Sequence, residues 1–110
     1  MVAKQWVPDA GDVIWIDLEP TVGHEQSGKR PALVLSPSSY NQKTSLVIAC
    51  AMTTEKKGYP FEVEMPDGGI ILADHIRTLD WKFRNAHPKD AAPADVLKQV
   101  RVLMGIILQI

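Results

Sequence analysis

Between residues 25 and 30 the chain gathers a carboxylate, a primary amide, a hydroxyl, an ammonium and a guanidinium, from Glu25, Gln26, Ser27, Lys29 and Arg30. A carboxylate close to a fixed cation is the core of metal-free phosphoryl chemistry. Cleaving RNA through its own 2′-hydroxyl requires no protein nucleophile. It requires a base for the hydroxyl proton, a cation on the crowded phosphate and a proton for the departing 5′-oxygen. Arginine suits the cation role, because its planar fork meets phosphate oxygens bidentately and keeps its charge. Glutamate serves as the base where partial burial or the approaching phosphate raises its pKa. A hydroxyl at a neighbouring strand end can hold the phosphate, and Thr53 and Thr54 are both candidates. The competing reading is that Glu25, Lys29 and Arg30 are solvated loop charges, and the stretch alone leaves both open.

Other chemistries find less support. His24, His75 and His87 lack the spacing of a metal set, and His75 reads as a satisfied, partly buried residue. Cys50 is the only cysteine, which excludes an internal disulfide and a cysteine zinc site; inside Leu46–Met52 it reads as a small buried hydrophobe. Asp67-Gly68-Gly69 belongs to a hairpin rather than a phosphate loop, and no serine has a base near it in sequence. The expectation is an enzyme without metal or cofactor.

Net charge is −1, so attraction for a polyanion has to come from local clustering. Three basic clusters provide it: Lys29-Arg30, Lys56-Lys57, and Arg77 with Lys82 and Arg84, interleaved with Tyr59, Trp81 and Phe83. A groove collecting these charges and rings would hold a single strand through phosphate attraction and base stacking. With His24 and Gln26 from the polar loop, these residues (Trp81 and Phe83 apart) form the candidate RNA-binding set. Each cluster by itself is more often a solvated face, and the interleaved rings raise the case for binding only modestly.

The elements that position these groups are short. Asp12–Leu18 has period two, with Ile14, Ile16 and Leu18 on a core face and Val13, Trp15 and Asp17 on a mixed face, where Trp15 covers the core's edge. Pro20 ends that strand. Ala32–Leu35 is continuously apolar, as in a strand buried on both sides. Ser36-Pro37 signals a helix start, with room for a turn or two. Leu46–Thr53 is the third strand, Phe61–Met65 alternates cleanly, and Asp67-Gly68-Gly69 turns into Ile70–Ala73. Asp74–Trp81 continues as extended or mixed chain, and Lys82–Lys89 is a basic, aromatic-containing stretch. After Pro93 comes the one convincing helix, with Val96, Leu97, Val100, Leu103, Met104, Ile107 and Leu108 at helical spacing. Val102 and Ile106 lie off that stripe, which suggests a homodimer or a partner groove, with core packing as the competing account.

About five short strands without crossover helices, plus a terminal helix, make a single domain over 1–110: a small, mostly antiparallel barrel. A chain of 110 residues buries roughly 65% of its unfolded surface, so no staple is required. The start carries no apolar signal region and no run is long enough to span a membrane, so the expected compartment is the cytoplasm.

The motifs also match a known family in order along most of the chain. They are Pro8-Asp9-x-Gly11-Asp12-Val13-Ile14-Trp15, then Glu25-Gln26-x-Gly28-x-Arg30-Pro31-Ala32-Leu33-Val34-Leu35-Ser36-Pro37, Tyr40-Asn41, Thr53-Thr54, Lys57-Gly58-Tyr59-Pro60-Phe61-Glu62-Val63 and Leu72-Ala73-Asp74. On these the chain resembles the MazF/PemK/Kid family of toxin endoribonucleases from type II toxin–antitoxin systems. The resemblance implies an SH3-like antiparallel barrel with a C-terminal α-helix, working as a homodimer. It implies sequence-specific, metal-independent cleavage of single-stranded mRNA through a 2′,3′-cyclic phosphate, with a 5′-hydroxyl product. Arg30 and Thr53 are the active residues carried over, with Glu25 in acid–base work. An antitoxin would cover the groove, and the complex would bind operator DNA mainly through the antitoxin. Some members have a histidine where this chain has Lys29, a poor proton shuttle near neutral pH. The same barrel also serves a toxin that binds DNA gyrase without nuclease activity, which is the alternative reading.

Overall fold

A computed structural model describes residues 5–18 and 29–110. Six strands and two helices follow in the order β1 (Asp12–Asp17), β2 (Lys29–Val34), α1 (Ser38–Thr44), β3 (Leu46–Thr53), β4 (Glu62–Glu64), β5 (Ile70–Asp80), β6 (His87–Ala91) and α2 (Ala94–Leu108). The strands form one sheet in the order β4-β5-β3-β2-β1-β6, and every pairing is antiparallel. The sheet curls into a half-barrel with a C-terminal helix, as the mostly β reading expects.

Strand alternation sends side chains to two apolar clusters. Val13, Leu33, Cys50, Val63 and Ile71 pack with Val96 and Val100 of α2. Ile14, Ile16, Ala32, Val34, Val47, Ala49 and Leu79 form the other cluster, which Trp6 and Val7 of the N-terminal arm help to cover. β1 is therefore buried on both faces through Ile14, and only from Trp15 onward does its second face open to solvent. Asn41 ties the arm to α1: its Nδ2 donates to Pro8 O at 2.8 Å and Ser36 O at 2.9 Å, and its Oδ1 accepts from Ser36 Oγ at 2.6 Å.

Three expectations are corrected. The sheet has six strands rather than about five, because His87–Ala91 is an exposed edge strand. Trp81 is not available for stacking: it is buried, donates Nε1–H to Asn41 O at 2.9 Å, and meets Trp6 edge-on at 5.9 Å. His75 is exposed rather than partly buried, with Nε2 3.8 Å from Asp74 Oδ1. In α2, Val102 and Ile106 do face solvent. Among the described residues no helix is long and apolar enough to cross a membrane.

Candidate active site

The register of the two central strands sets the site. β2 pairs with β3 through Ala32↔Ala51, Leu33↔Cys50 and Val34↔Ala49. Two residues beyond Ala32 and Ala51, on the same faces, stand Arg30 and Thr53. The apolar run that buries Ala32 and Val34 gives way there to a polar rim: Arg30 is exposed and Thr53 half-buried. Both line a groove of about 600 Å³ at this end of the sheet, and Pro31 and Met52 line it with them.

Thr53 is already oriented. Its Oγ1 accepts the Glu55 backbone N–H at 3.1 Å, which leaves the hydroxyl proton to donate to a ligand in the groove. Lys29 and Lys89 line the same groove, with Asp67 the one acidic lining residue among those described. Among the described residues three cations line the groove against one carboxylate, a local excess of positive charge on a chain whose net charge is −1. Lys29 Nζ lies 3.4 Å from Asn85 O and 3.2 Å from His87 Nδ1, so its position is shared with the β5–β6 turn.

The lining also holds an aromatic ring and a cation outside the sequence-derived candidates, Trp15 and Lys89. Trp15 is about a third exposed and presents its ring to the groove, with Lys89 Nζ 5.2 Å from the ring centroid. Lys89 gets there through a β-bulge: Val13 pairs with Asp90 and Ile14 with Pro88, so Lys89 is the extra residue between them. A bulge re-aims the side chain it carries, and bulges concentrate beside functional sites. The period-two pattern had already put Trp15 on the mixed face of β1; what was missing was β6, which brings the lysine.

The other candidates are spread out. His24, Glu25 and Gln26 lie outside the described residues. Lys56 pairs with Glu64 Oε1 at 3.2 Å, and the Lys57 and Gly58 backbone N–H groups donate to the Glu62 carboxylate, so that loop is organised by glutamates. Tyr59 is exposed but does not line the groove. Arg77 stands opposite Ala49 in the β3–β5 ladder. Lys82 lies 5.5 Å from the Trp81 ring centroid and lines a separate cavity with Asp9 and Gln42. Arg84 donates from Nη1 to Asp17 O at 2.8 Å. Arg30, Lys29, Thr53 and Thr54 are the four candidates that the fold brings together in this groove.

Burial pushes the Cys50 thiol up to about 12, with Asp74 adding to the shift, so it is an inert core group, as its apolar setting implies. Among the described residues no group of three His, Cys, Asp or Glu side chains is arranged to hold a metal ion.

A family model described as PemK-like, MazF-like toxin of type II toxin–antitoxin system matches residues 9–108. The endoribonuclease toxin MazF of Escherichia coli (strain K12) is 39% identical over 110 residues, covering 97% of this chain and 99% of that protein. Endoribonuclease EndoA of Bacillus subtilis (strain 168) is 37% identical over 79 residues, covering 64% of this chain and 68% of that protein. A chain in the crystal structure of MazE–MazF (Form-II) from Deinococcus radiodurans is 51% identical, with a TM-score of 0.90, covering 96% of this chain and 99% of that one.

Proposed function

The chain belongs to the PemK-like, MazF-like toxin family of type II toxin–antitoxin systems, and from that premise we propose that it cuts single-stranded mRNA at specific sequences without a metal ion. It is a MazF-type endoribonuclease. The observation that supports the finer reading is the shared groove of Arg30 and Thr53, which Lys29, Lys89 and Trp15 also line.

The reaction is an internal transfer. The 2′-oxygen of the nucleotide before the cut attacks phosphorus, the P–O5′ bond breaks, and a 2′,3′-cyclic phosphate and a 5′-hydroxyl result. Arg30 neutralises the charge that builds on the phosphorane oxygens, where a fixed donor acts most strongly. Thr53, its oxygen accepting from Glu55 N–H, donates a hydrogen bond to a non-bridging oxygen. Glu25 takes the 2′-hydroxyl proton, and the departing 5′-oxygen takes its proton from solvent water to become the 5′-hydroxyl. Lys29 contributes charge beside Arg30 rather than the imidazole some relatives carry. Trp15 offers a face for a base next to the scissile phosphate, and Lys89 a cation for its neighbour. These three cations supply within the protein the positive charge that other nucleases take from metals.

The toxin is expected to work as a homodimer, with the apolar outer face of α2 as one surface available to a partner. An antitoxin fits the same family setting; relatives crystallise as MazE–MazF complexes. Operator DNA would be bound through that complex. The test is direct: incubate purified protein with unstructured RNA in EDTA and map the product ends. Cleavage leaving 5′-hydroxyl termini is expected. Strict dependence on Mg²⁺ contradicts the mechanism, and gyrase binding with intact RNA would favour the non-catalytic alternative.

A further inference from the structure

The β5–β6 turn is held by its own hydrogen bonds. Arg84 N–H donates to Asp80 O at 3.0 Å, Asn85 N–H to Lys82 O at 3.2 Å and Ala86 N–H to Trp81 O at 3.0 Å. Phe83 N–H donates to Asp80 Oδ1 at 2.9 Å, and Asn85 takes a left-handed φ of 57°. Buried Trp81 anchors the turn to the core.

From this base the turn reaches the strand ends beside the groove. The β1–β6 ladder stops at Trp15↔His87. Two residues on, Asp17 N–H donates to Arg84 O at 3.3 Å, and Asp17 O accepts from Arg84 Nη1 at 2.8 Å. Residue 84 therefore holds both backbone groups of Asp17. Asp17 in turn pairs with Lys29 and Ile16 with Arg30, while Lys29 Nζ lies against Asn85 O. The last residue of β1 and the first of β2 are thus both tied to one turn.

We infer that Arg84 is a positioning residue for cleavage: it clasps the end of β1, and through the Ile16–Arg30 and Asp17–Lys29 pairs keeps Arg30 in register over the groove. Strand ends open at low free-energy cost, whereas a reacting group displaced by about 1 Å loses roughly 100-fold in rate. A charged donor on the Asp17 carbonyl suppresses that fraying where it costs most. The guanidinium commits Nη1 to the Asp17 backbone oxygen, and in this proposal Arg84 acts through Arg30 rather than on phosphate. This inference rests on the proposed ribonuclease reading.

The test compares wild type, Arg84→Ala and Arg84→Lys in steady-state RNA cleavage. It adds thermal unfolding and the affinity, across salt concentrations, for the same RNA with a 2′-deoxy nucleotide at the mapped cut site. Arg84→Ala is expected to lower kcat roughly 10- to 100-fold with KM, analogue affinity and salt slope held. Arg84→Lys, which can still donate to Asp17 O, recovers part of kcat. If Arg84→Ala melts below assay temperature, the kcat and affinity of Arg84→Lys make the same comparison at a temperature where it is folded. Weaker analogue binding with a salt slope reduced by about one would make Arg84 a phosphate contact and overturn the inference. Full activity in Arg84→Ala overturns it as well. Absence of cleavage by wild type speaks instead against the ribonuclease reading.

Discussion

Lys89 Nζ lies 5.2 Å from the centroid of the Trp15 ring, delivered across the β1–β6 pair by a bulge in which Lys89 is the unpaired residue. An aromatic face capped by a mobile cation is a ready place for a nucleotide: the base takes the ring and the ammonium moves to a phosphate. Trp15→Ala is expected to weaken RNA binding by about 1–3 kcal/mol, the usual scale for one stacked base, while Trp15→Phe keeps most of it. Lys89→Ala is expected to weaken binding less and to reduce the salt slope by about one. Titrating uncleavable RNA at several salt concentrations measures both. Unchanged affinity in Trp15→Ala would remove the ring from the substrate path.

Thr53 separates two roles that one hydroxyl can play. Its oxygen holds Glu55 N–H, and its proton is assigned to the phosphate. Thr53→Val keeps the shape and loses both; Thr53→Ser keeps both. Loss of one donor to a developing oxyanion costs about 10²–10³ in kcat, so Thr53→Val is expected to fall in that range and Thr53→Ser to stay near wild type. Single-turnover cleavage rates decide. Equal rates in the two variants would leave Thr53 as a strand-end residue only.

Asn41 carries the stability of the arm and of α1. It is fully buried, and its side chain satisfies Pro8 O, Ser36 O and Ser36 Oγ. Asn41→Leu leaves Pro8 O and Ser36 O without their side-chain donor and the Ser36 hydroxyl proton without its acceptor, while Ser36 Oγ keeps Ile48 N–H, at about 1–3 kcal/mol for each group lost before relaxation. The variant is expected to unfold several degrees lower by thermal denaturation, with kcat per folded molecule preserved, because the site lies at the other end of β2.

The Cys50 thiol gives a pH signature of the core. Burial raises its pKa from 9.0 to about 12, so the folded state favours the neutral form. Its contribution to stability is fully present below pH 9 and is lost as pH rises toward 12. Denaturant unfolding of wild type and Cys50→Ala from pH 8 to 11 is expected to show a steeper decline for wild type. Alkylation at pH 8 is expected to be slow in the native protein and fast in urea.

The elements that carry apolar patterns were readable before folding: the alternation of Asp12–Leu18, the apolar run Ala32–Leu35, the Asp67-Gly68-Gly69 turn and the terminal helix. Strand β6 was not, because His87–Ala91 is exposed throughout and includes Pro88, so neither burial nor propensity marks it. The sequence leaves Asp74–Trp81 as extended or mixed chain, and in the fold it continues β5 to Asp80. The ladder with β3 shifts from Ile71 opposite Met52 to Ile76 opposite Cys50, so polar Asp74 and His75 fall in an irregular stretch of a continuous strand. In the site, Arg30 and Thr53 were legible because their chemistry and strand-end positions are local. The contacts of Trp15 with Lys89, and of Arg84 with Asp17, join residues far apart in sequence and exist only once the sheet has formed.

In the proposed reaction the guanidinium of Arg30, held at the end of β2 beside Thr53, stabilises the transition state of RNA cleavage. The most direct measurement is the kcat of Arg30→Ala on unstructured RNA in EDTA, set against its thermal unfolding and its affinity for the uncleavable analogue. Loss of at least 10³-fold in kcat with folding retained and a smaller loss of affinity is the predicted result, on the order expected for removing a fixed charge at a developing phosphorane. Cleavage by Arg30→Ala at the wild-type rate would contradict the account and move the active centre away from this groove.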